Sequence, residues 1–234
     1  MGVTTTRALV LKRVAYGESD LVVTLLTEEL GRVSALARGA RASQKRFGGS
    51  LEPMHTLRVR LDDRPRAELS VLRESSIDVP RTRLAIDLDK MQAAGRALGW
   101  VRRAAPPRTP EPEAWEVLSE FLDRLDDAND TRSAGVHLTE LGLRLLSAVG
   151  WGLDLERCVS CGKPCMEGKA AMVDEGRGGL VCRACGGARR RLPGAVRTRL
   201  LAATRGEAGA VTEADVPIAL DLVERALKTH MGFE

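Results

Sequence analysis

Aromatic side chains are scarce in this chain, and phenylalanine, tryptophan and tyrosine together make up 3% of its 234 residues. In the first eighty residues the only aromatic rings of these three types are Tyr16 and Phe47. Base stacking contributes about 1–3 kcal/mol per base and needs an aromatic platform. Stacking on this segment is therefore expected to be weak, and we expect both rings to lie in a protein core.

Long apolar runs are also absent. No stretch reaches the roughly 18 apolar residues that span a bilayer, and the N-terminus has no charged segment followed by an apolar one. The cysteines are few and nearly all in one pattern, which suits a reducing compartment. These features predict a cytoplasmic protein.

The sequence lacks the usual signatures of hydrolytic enzymes. His55, His137 and His230 are scattered, and neither a phosphate-binding loop nor a serine nucleophile motif occurs. The segment from Glu111 to Asp130 holds eight acids against one arginine, a local charge of −7. Such a segment could hold the metals of a nuclease, but acids spread along a helix are more often its solvated face. We predict that the protein is not an enzyme.

The feature that is present is a paired cysteine pattern. Four of the five cysteines form two Cys-x-x-Cys-Gly motifs, at Cys158, Cys161, Cys182 and Cys185. Each pair can hold one side of a tetrahedral ion, and soft sulfur ligands favour zinc or iron. We predict one structural Zn²⁺, because a site closed by four thiolates leaves no position for water or substrate.

Two alternatives to this zinc site are free thiols and disulfides. A redox dithiol is a third, but such a motif is normally single and near a βαβ pattern, which is absent. Cys165 lies just past the first motif. We expect it to be a spare thiol, although it could compete as a ligand.

Positive charge is concentrated near the N-terminus. Residues 32–66 hold nine Lys or Arg against three acids, a local charge of +6. This asymmetry indicates an anion-binding face, although most charge runs are simply solvated surface. A second basic cluster, Arg189–Arg191, could contact DNA or an acidic partner, or only solvent.

Short apolar runs predict five strands in the first eighty residues. Leu57, Val59 and Leu61 alternate with arginines, the period of a half-buried strand. This pattern fits a small Greek-key barrel of OB type; an SH3-like barrel or an open sheet remains an alternative. The predicted strands are Arg7–Lys12, Leu21–Leu26, Val33–Arg38, Leu57–Leu61 and Glu68–Leu72.

Helical periodicity replaces the strand pattern from about Leu84. The first predicted helix buries a stripe of Leu84, Leu88, Met91, Leu98 and Val101. Four more helices are predicted, around Trp115–Leu125, Thr131–Val149, Pro193–Thr204 and Asp215–Met231, the last with Asp215 as its cap. The sequence thus predicts an α+β protein. It has an OB-type five-stranded β-barrel over 1–80 and a helical bundle over 81–234, with the four-cysteine zinc ribbon inserted at about 155–188.

Several runs carry a likeness to a known family. They are Ala8-Leu-Val-Leu-Lys-Arg-Val-Ala-Tyr-Gly-Glu-Ser-Asp20, Leu25-Leu-Thr-Glu-Glu-Leu-Gly31, Ala37-Arg-Gly-Ala-Arg41, Arg46-Phe-Gly-Gly-Ser-Leu-Glu-Pro53 and Gly178-Gly-Leu-Val-Cys182. In order and spacing they resemble the RecO family of recombination mediators, in its zinc-binding form. Met54 departs from the family pattern, in which an aromatic residue is common, and Cys165 is not part of it.

This resemblance implies a bacterial, nucleoid-associated DNA repair protein that binds single- and double-stranded DNA. Such proteins anneal complementary strands, contact the C-terminal tail of single-strand-binding protein, and work with RecR to load RecA. The candidate DNA-binding residues are Lys12, Arg13, Arg38, Arg41, Lys45, Arg46, Arg58 and Arg60. The rival functions are a zinc-ribbon adaptor or transcription factor that binds mainly protein, and a metal-dependent nuclease.

Overall fold

The computed structural model describes residues 2–43, 45–63, 67–207 and 209–231. The chain divides into two compact units, Met1–Asp130 and Thr131–Glu234. Arg64 and Arg66, two of the basic residues in the 32–66 segment, lie outside the described residues.

Five strands of the first unit close into a barrel with the neighbour order β1-β2-β3-β5-β4. β3 pairs with β5 in parallel, and β1 closes the barrel by pairing with β4 in antiparallel. This is the OB-type barrel that the sequence predicted. The strands are β1 (Val3–Tyr16), β2 (Asp20–Thr27), β3 (Gly31–Ala37), β4 (Thr56–Asp62) and β5 (Ser70–Val79).

Alternating side chains account for the barrel's core. Leu57, Val59 and Leu61 of β4 are buried, while Arg58 and Arg60 between them face solvent, as the period of two predicts. Phe47, from the connection between β3 and β4, is 2% exposed and joins the same core cluster.

Two strands are longer than predicted. β1 continues to Tyr16 past an irregularity between Val10 and Lys12, which is a β-bulge that breaks the apolar pattern. β5 continues to Val79 because its polar residues pair their backbone with β4. Strand pairing through the backbone does not require apolar side chains, so the hydrophobic pattern underestimated both lengths.

Two helices, α1 (Leu88–Ala104) and α2 (Pro112–Asp126), belong to the barrel's unit. The predicted buried stripe of α1 is wrong at two positions, since Leu88 is 68% and Met91 39% exposed. The helix instead buries a face rich in alanine, together with Leu98, Trp100 and Val101. Small residues permit close packing, and a hydrophobic count undervalues them.

Specific polar contacts fix these helices within the first unit. The guanidinium of Arg81 is 2% exposed and bonds Asp123 of α2 at 2.8 Å. The same guanidinium donates to the Met54 carbonyl oxygen at 2.8 Å and to the Thr56 hydroxyl at 3.0 Å. The loop after α1 passes over Gly31, where a Cβ would meet the Thr109 carbonyl oxygen at 1.9 Å.

The second unit combines three helices with a small sheet. One helix precedes the cysteine segment and packs against the two helices that follow the segment. The segment is therefore an insertion in a helical bundle, as predicted. The sheet order is β6-β8-β7-β9. The elements are α3 (Ala134–Ala148), β6 (Asp154–Cys158), β7 (Ala171–Asp174), β8 (Gly179–Leu180), β9 (Arg190–Leu192), α4 (Gly194–Thr204) and α5 (Val216–Met231).

The compact units divide the chain fifty residues later than the predicted boundary after residue 80. The reason is that α1 packs against β1 of the barrel and α2 packs against α1. A second difference concerns Asp215, predicted to cap α5. Its carboxylate accepts from the backbone and hydroxyl of Thr212 and from Arg199, and so closes the short turn before that helix.

Candidate metal centre and nucleic-acid interface

Two tight turns bring the four cysteines together. Gly162 N–H donates to the Cys158 carbonyl oxygen at 2.8 Å, and Gly187 N–H donates to that of Cys182 at 3.0 Å. Gly162 and Gly186 have φ values of 71° and 97°, which glycine adopts without steric cost. This explains why a glycine follows each Cys-x-x-Cys pair.

The four Sγ atoms of Cys158, Cys161, Cys182 and Cys185 lie within 4.8 Å of one another. They are therefore positioned to bind a metal ion. The Sγ atoms of Cys161 and Cys182, from different turns, are 3.8 Å apart. Cys165 is half-buried and is not a member of this group.

The surroundings give the thiols unequal acidity. The backbone N–H of Cys182 donates to Cys158 Sγ and lowers the pKa of Cys158 to about 6. The hydrogen bond with the Cys182 side chain, and then that with Cys161, raises the pKa of Cys185 to about 12. Thiolates bind metals more strongly than thiols, so a cation among the four sulfurs favours their shared deprotonation.

A buried arginine holds the cysteine-bearing ribbon on α4. Arg197 is 2% exposed, and its guanidinium donates to three carbonyl oxygens: Leu155 at 2.7 Å, Met166 at 2.6 Å and Lys169 at 3.1 Å. Sequence analysis missed this role of Arg197, because an arginine within a helical pattern normally faces solvent.

The candidate DNA-binding residues fall into two groups. Four of them lie on the connection between β3 and β4, and we call these the basic connection: Arg38, Arg41, Lys45 and Arg46. All four are exposed. Across residues 2–43, 45–63, 67–207 and 209–231, none of the four pairs with a carboxylate.

The basic connection is held in place by backbone contacts. The Asp20 carboxylate accepts from Gly39 N–H at 2.7 Å, which ties the start of β2 to the connection after β3. Arg41 donates to the Glu18 carbonyl oxygen at 3.0 Å, and Arg46 to that of Arg38 at 2.8 Å. Carbonyl partners orient these guanidinium groups without neutralising their charge.

The remaining candidates lie on the strands, and most are compensated by acids. Arg58 pairs with Asp78 at 3.2 Å, and Arg60 with Glu74 at 3.3 Å. Arg13 pairs with Glu52. Lys12, at the bulge of β1, is exposed and has no such partner among the described residues. The structure thus splits the predicted set into an uncompensated loop and a largely compensated strand face.

A cleft lies against the basic connection, with a volume of about 510 Å³. Arg13, Arg41 and Ser43 line it together with apolar side chains that include Leu21 and Phe47. Tyr16, which the sequence placed in the core, is 60% exposed at the end of β1. That prediction was wrong for Tyr16 and correct for Phe47. The position of Tyr16 directly before the Gly-Glu-Ser turn could have indicated an exposed ring.

The acidic residues of 111–130 do not gather into a site among the described residues. Among all the described residues, the four-cysteine cluster is the only group positioned to hold a metal ion. Asp123 bonds Arg81, the Asp126 carboxylate accepts from Leu84 N–H, and Glu120 pairs with Arg124 within the helix. The acids therefore form a partly solvated helix face that also fixes residues 81–84.

Two family models match the chain in succession. The model described as Recombination protein O N terminal covers residues 1–79, and Recombination protein O C terminal covers residues 86–233. The chain belongs to the RecO family.

Curated relatives agree with this RecO assignment. A DNA repair protein RecO from Anaeromyxobacter sp. (strain K) is 43% identical over 160 residues, which is 68% of this chain and 62% of the relative. Those from Geobacter metallireducens (strain ATCC 53774 / DSM 7210 / GS-15) and Myxococcus xanthus (strain DK1622) are 36% and 37% identical. These matches cover 68% and 66% of this chain, and 63% and 62% of the relatives. The matched stretch thus spans less than two thirds of these relatives' length.

The described part of this RecO chain contains no helix that is long and apolar enough to cross a membrane.

Proposed function

We propose that this RecO chain is a DNA repair and recombination mediator without catalytic activity of its own. It binds single- and double-stranded DNA, anneals complementary strands, and helps RecR to load RecA onto DNA coated with single-strand-binding protein. Family membership supports the role in DNA repair, since the relatives are named as DNA repair proteins. This role places the protein in the cytoplasm, at the nucleoid.

The basic connection is the observation that carries this proposal. Arg38, Arg41, Lys45 and Arg46 offer four exposed cations on one loop, without carboxylate partners in the described chain. Cations that meet phosphates release the counterions condensed on DNA, which gives affinity independent of base sequence. Arg58 and Arg60 contribute less, because each must first give up an acidic partner.

The same surface explains annealing. Phosphate contacts position a strand while its base edges stay free. Two strands held by one positive surface repel each other less, and Watson–Crick pairing then selects the complementary partner. The scarcity of exposed aromatic rings, with Tyr16 as the exception on the barrel, leaves the bases available.

We propose that the ion held by the cysteines is one structural Zn²⁺. A Zn–S bond of about 2.3 Å in tetrahedral geometry separates sulfurs by about 3.8 Å. The Cys161–Cys182 separation of 3.8 Å fits this value. The four thiolates would close the coordination shell, so the ion would stabilise the ribbon rather than activate water.

The test is a fluorescence-quench annealing assay with complementary oligonucleotides, run against salt and with added single-strand-binding protein. We expect annealing that needs no nucleotide and weakens as salt rises. Reversing the charges of Arg38, Arg41 and Lys45 should abolish it at low salt. The charge-matched control reverses Arg83, Arg96 and Arg103, which are exposed residues elsewhere in the same unit.

The assay also separates the rival functions. Cleavage of the oligonucleotides with magnesium would favour a nuclease. Absence of both binding and annealing would favour an adaptor that binds mainly protein. Annealing that survives the triple charge reversal unchanged would contradict the role of the basic connection.

A further inference from the structure

The outer face of α1 begins with apolar side chains that the rest of the chain leaves uncovered. Leu88 and Met91 are 68% and 39% exposed, and Ile86, two residues before the helix, is 86% exposed. Apolar residues scattered singly on a surface are ordinary, whereas neighbouring ones mark an interaction surface. The start of α1 is therefore a candidate for contact with another molecule.

The same face of α1 continues over two glycines. At 3.6 residues per turn, Leu88, Gly95 and Gly99 lie within about 40° of one another around the helix axis. Apart from the helix's own backbone, no described atom lies within 4 Å of the Cβ position of either glycine. Glycine inside a helix is destabilising relative to alanine, so these two residues weaken α1 without relieving a contact in the described chain. They do allow a second helix to approach closely, because the distance between packed helices depends on the side chains at the contact.

The two ends of this face carry opposite charges. Asp87 is exposed at the start of α1, where its carboxylate accepts from Lys90 N–H at 3.1 Å. Arg102, in the last turn, is half-buried, and no carboxylate of the described residues pairs with it. Burial, and then the positive charge of Arg102, lower the pKa of Arg32. The end of α1 thus offers a cation that stands near another cation and lacks an acid.

An antiparallel copy of α1 complements this face. With Gly95 of the two copies at the crossing point, Met91 of each copy lies over Gly99 of the other. Asp87 of each copy lies beside Arg102 of the other. Each contact occurs twice, because a symmetric pair uses the same surface on both sides.

A nucleic acid does not fit this face. Its phosphates would gain nothing from the apolar start of α1 and would be repelled by Asp87. An antiparallel copy instead supplies apolar contacts and the reverse order of charges together.

We propose that α1 is a self-association surface, on which two copies of this chain pair through antiparallel α1 helices. One helix on each side is a small interface compared with the roughly 1,600 Å² of a standard one, so the association is weak. The basic connection is not part of α1, so self-association and DNA binding can fail separately. A dimer carries two basic connections, one on each copy.

Sedimentation velocity of the full chain loaded with zinc, without DNA, tests the proposal over about 1–100 μM. We expect the sedimentation coefficient to rise from that of a monomer to that of a dimer across this range. Gly95→Gln/Gly99→Gln should weaken the association about tenfold or more, because the longer side chains hold the helices apart. Glutamine favours helix and has open space at both positions, so the melting temperature of the dilute variant should hold or rise.

Leu88→Lys should also weaken the association, since it removes an apolar contact and places a cation near Arg102 of the second copy. Its control is Met166→Lys, in the second unit, where the side chain is 70% exposed and the association should not change. Melting temperatures of both variants distinguish a lost contact from a lost fold.

The charge pair has its own test. Asp87→Ser removes the charge but keeps a residue that can cap the helix. Asp87→Ser and Arg102→Gln should each weaken the association, and their combination should weaken it little more than either alone, as in residues that contact each other. Fully additive effects would contradict the antiparallel pairing.

The proposal fails if the chain stays monomeric up to about 100 μM, which would leave this face to a different protein. It also fails if Gly95→Gln/Gly99→Gln associates as tightly as the wild-type chain. Equal weakening by Leu88→Lys and Met166→Lys would show that association does not use α1.

Discussion

Arg197 Nη1 donates to the Leu155 carbonyl oxygen at 2.7 Å and so joins α4 to the strand that leads into the first cysteine pair. Together with its bonds to Met166 and Lys169, this contact lets one guanidinium organise the backbone of the ribbon. Replacement by an apolar side chain would leave three carbonyl oxygens without this donor.

We therefore expect Arg197→Met to destabilise the second unit by about 3 kcal/mol, since hydrogen bonds to a charged group contribute about 1.5–3 kcal/mol each and are not additive. Urea denaturation measures the loss. The control is Arg205→Met, because Arg205 is exposed and pairs with Glu156 at the surface. Equal stability of the two variants would contradict the organising role of Arg197.

Gly31 offers a second test. It has φ +66°, and a Cβ there would meet the Thr109 carbonyl oxygen at 1.9 Å. Gly17 has a similar φ of +60° but has no atom within 4 Å of its Cβ position. Gly17→Ala should lower the free energy of unfolding by about 1–2 kcal/mol, because a residue with a Cβ is strained in the left-handed region. Gly31→Ala should lower it clearly more, as measured by thermal denaturation. Equal losses in the two variants would show that the loop carrying Thr109 moves away freely.

Metal removal should act on one unit only. Chelation, or Cys182→Ser, should unfold the ribbon, because binding of the ion supplies much of the folding energy of such a segment. Amide hydrogen exchange of residues 154–192 would report this loss. The barrel should keep its affinity for a single-stranded oligonucleotide. Cys165→Ser is the control and should retain one ion per chain, and a loss of metal from that variant would make Cys165 a ligand.

Acid should weaken the second unit through Asp215. This carboxyl is 1% exposed, and its hydrogen bond with Arg199 lowers its pKa from 3.8 to about 2. A depressed pKa stabilises the folded state above the unfolded pKa, and this contribution disappears as pH falls from about 4 to about 2. The contribution is on the order of 2 kcal/mol.

Asp215→Asn isolates this effect. The difference in unfolding free energy between the wild-type chain and Asp215→Asn should be largest above pH 5, and should shrink as pH approaches 2. Chemical denaturation at several pH values measures it. A difference that stays constant with pH would show that the carboxylate's charge is not what stabilises the turn.

The sequence predicted the elements whose side-chain pattern is decisive. Alternation at Leu57–Leu61 marked a barrel strand, and the spacing from Cys158 to Cys185 marked the metal-binding group. It could not predict contacts between segments that are distant along the chain. Arg81 and Arg197 look like ordinary surface arginines in sequence, and only the folded chain brings carbonyl and carboxylate oxygens to them.

For the same reason, the sequence could not predict which of the basic residues would be paired with acids. The sequence predicted eight candidate cations but not their neighbours. Asp78 and Glu74 approach Arg58 and Arg60 because β4 pairs with β5, a register that charge counting does not contain. Arg38 and Lys45 lie on a connection without such pairing, and so keep their charge uncompensated within the described chain.

The most direct test of the proposed DNA-binding surface uses the double variant Arg38→Gln/Lys45→Gln. Its affinity for single-stranded DNA is measured as a function of salt concentration. Each phosphate contact adds about 0.7 to the slope of log affinity against log salt. We expect this variant to lower the slope by about 1.4, and Arg58→Gln/Arg60→Gln to lower it by less. If the slope and the affinity of Arg38→Gln/Lys45→Gln equal those of the wild-type chain, the basic connection does not bind DNA.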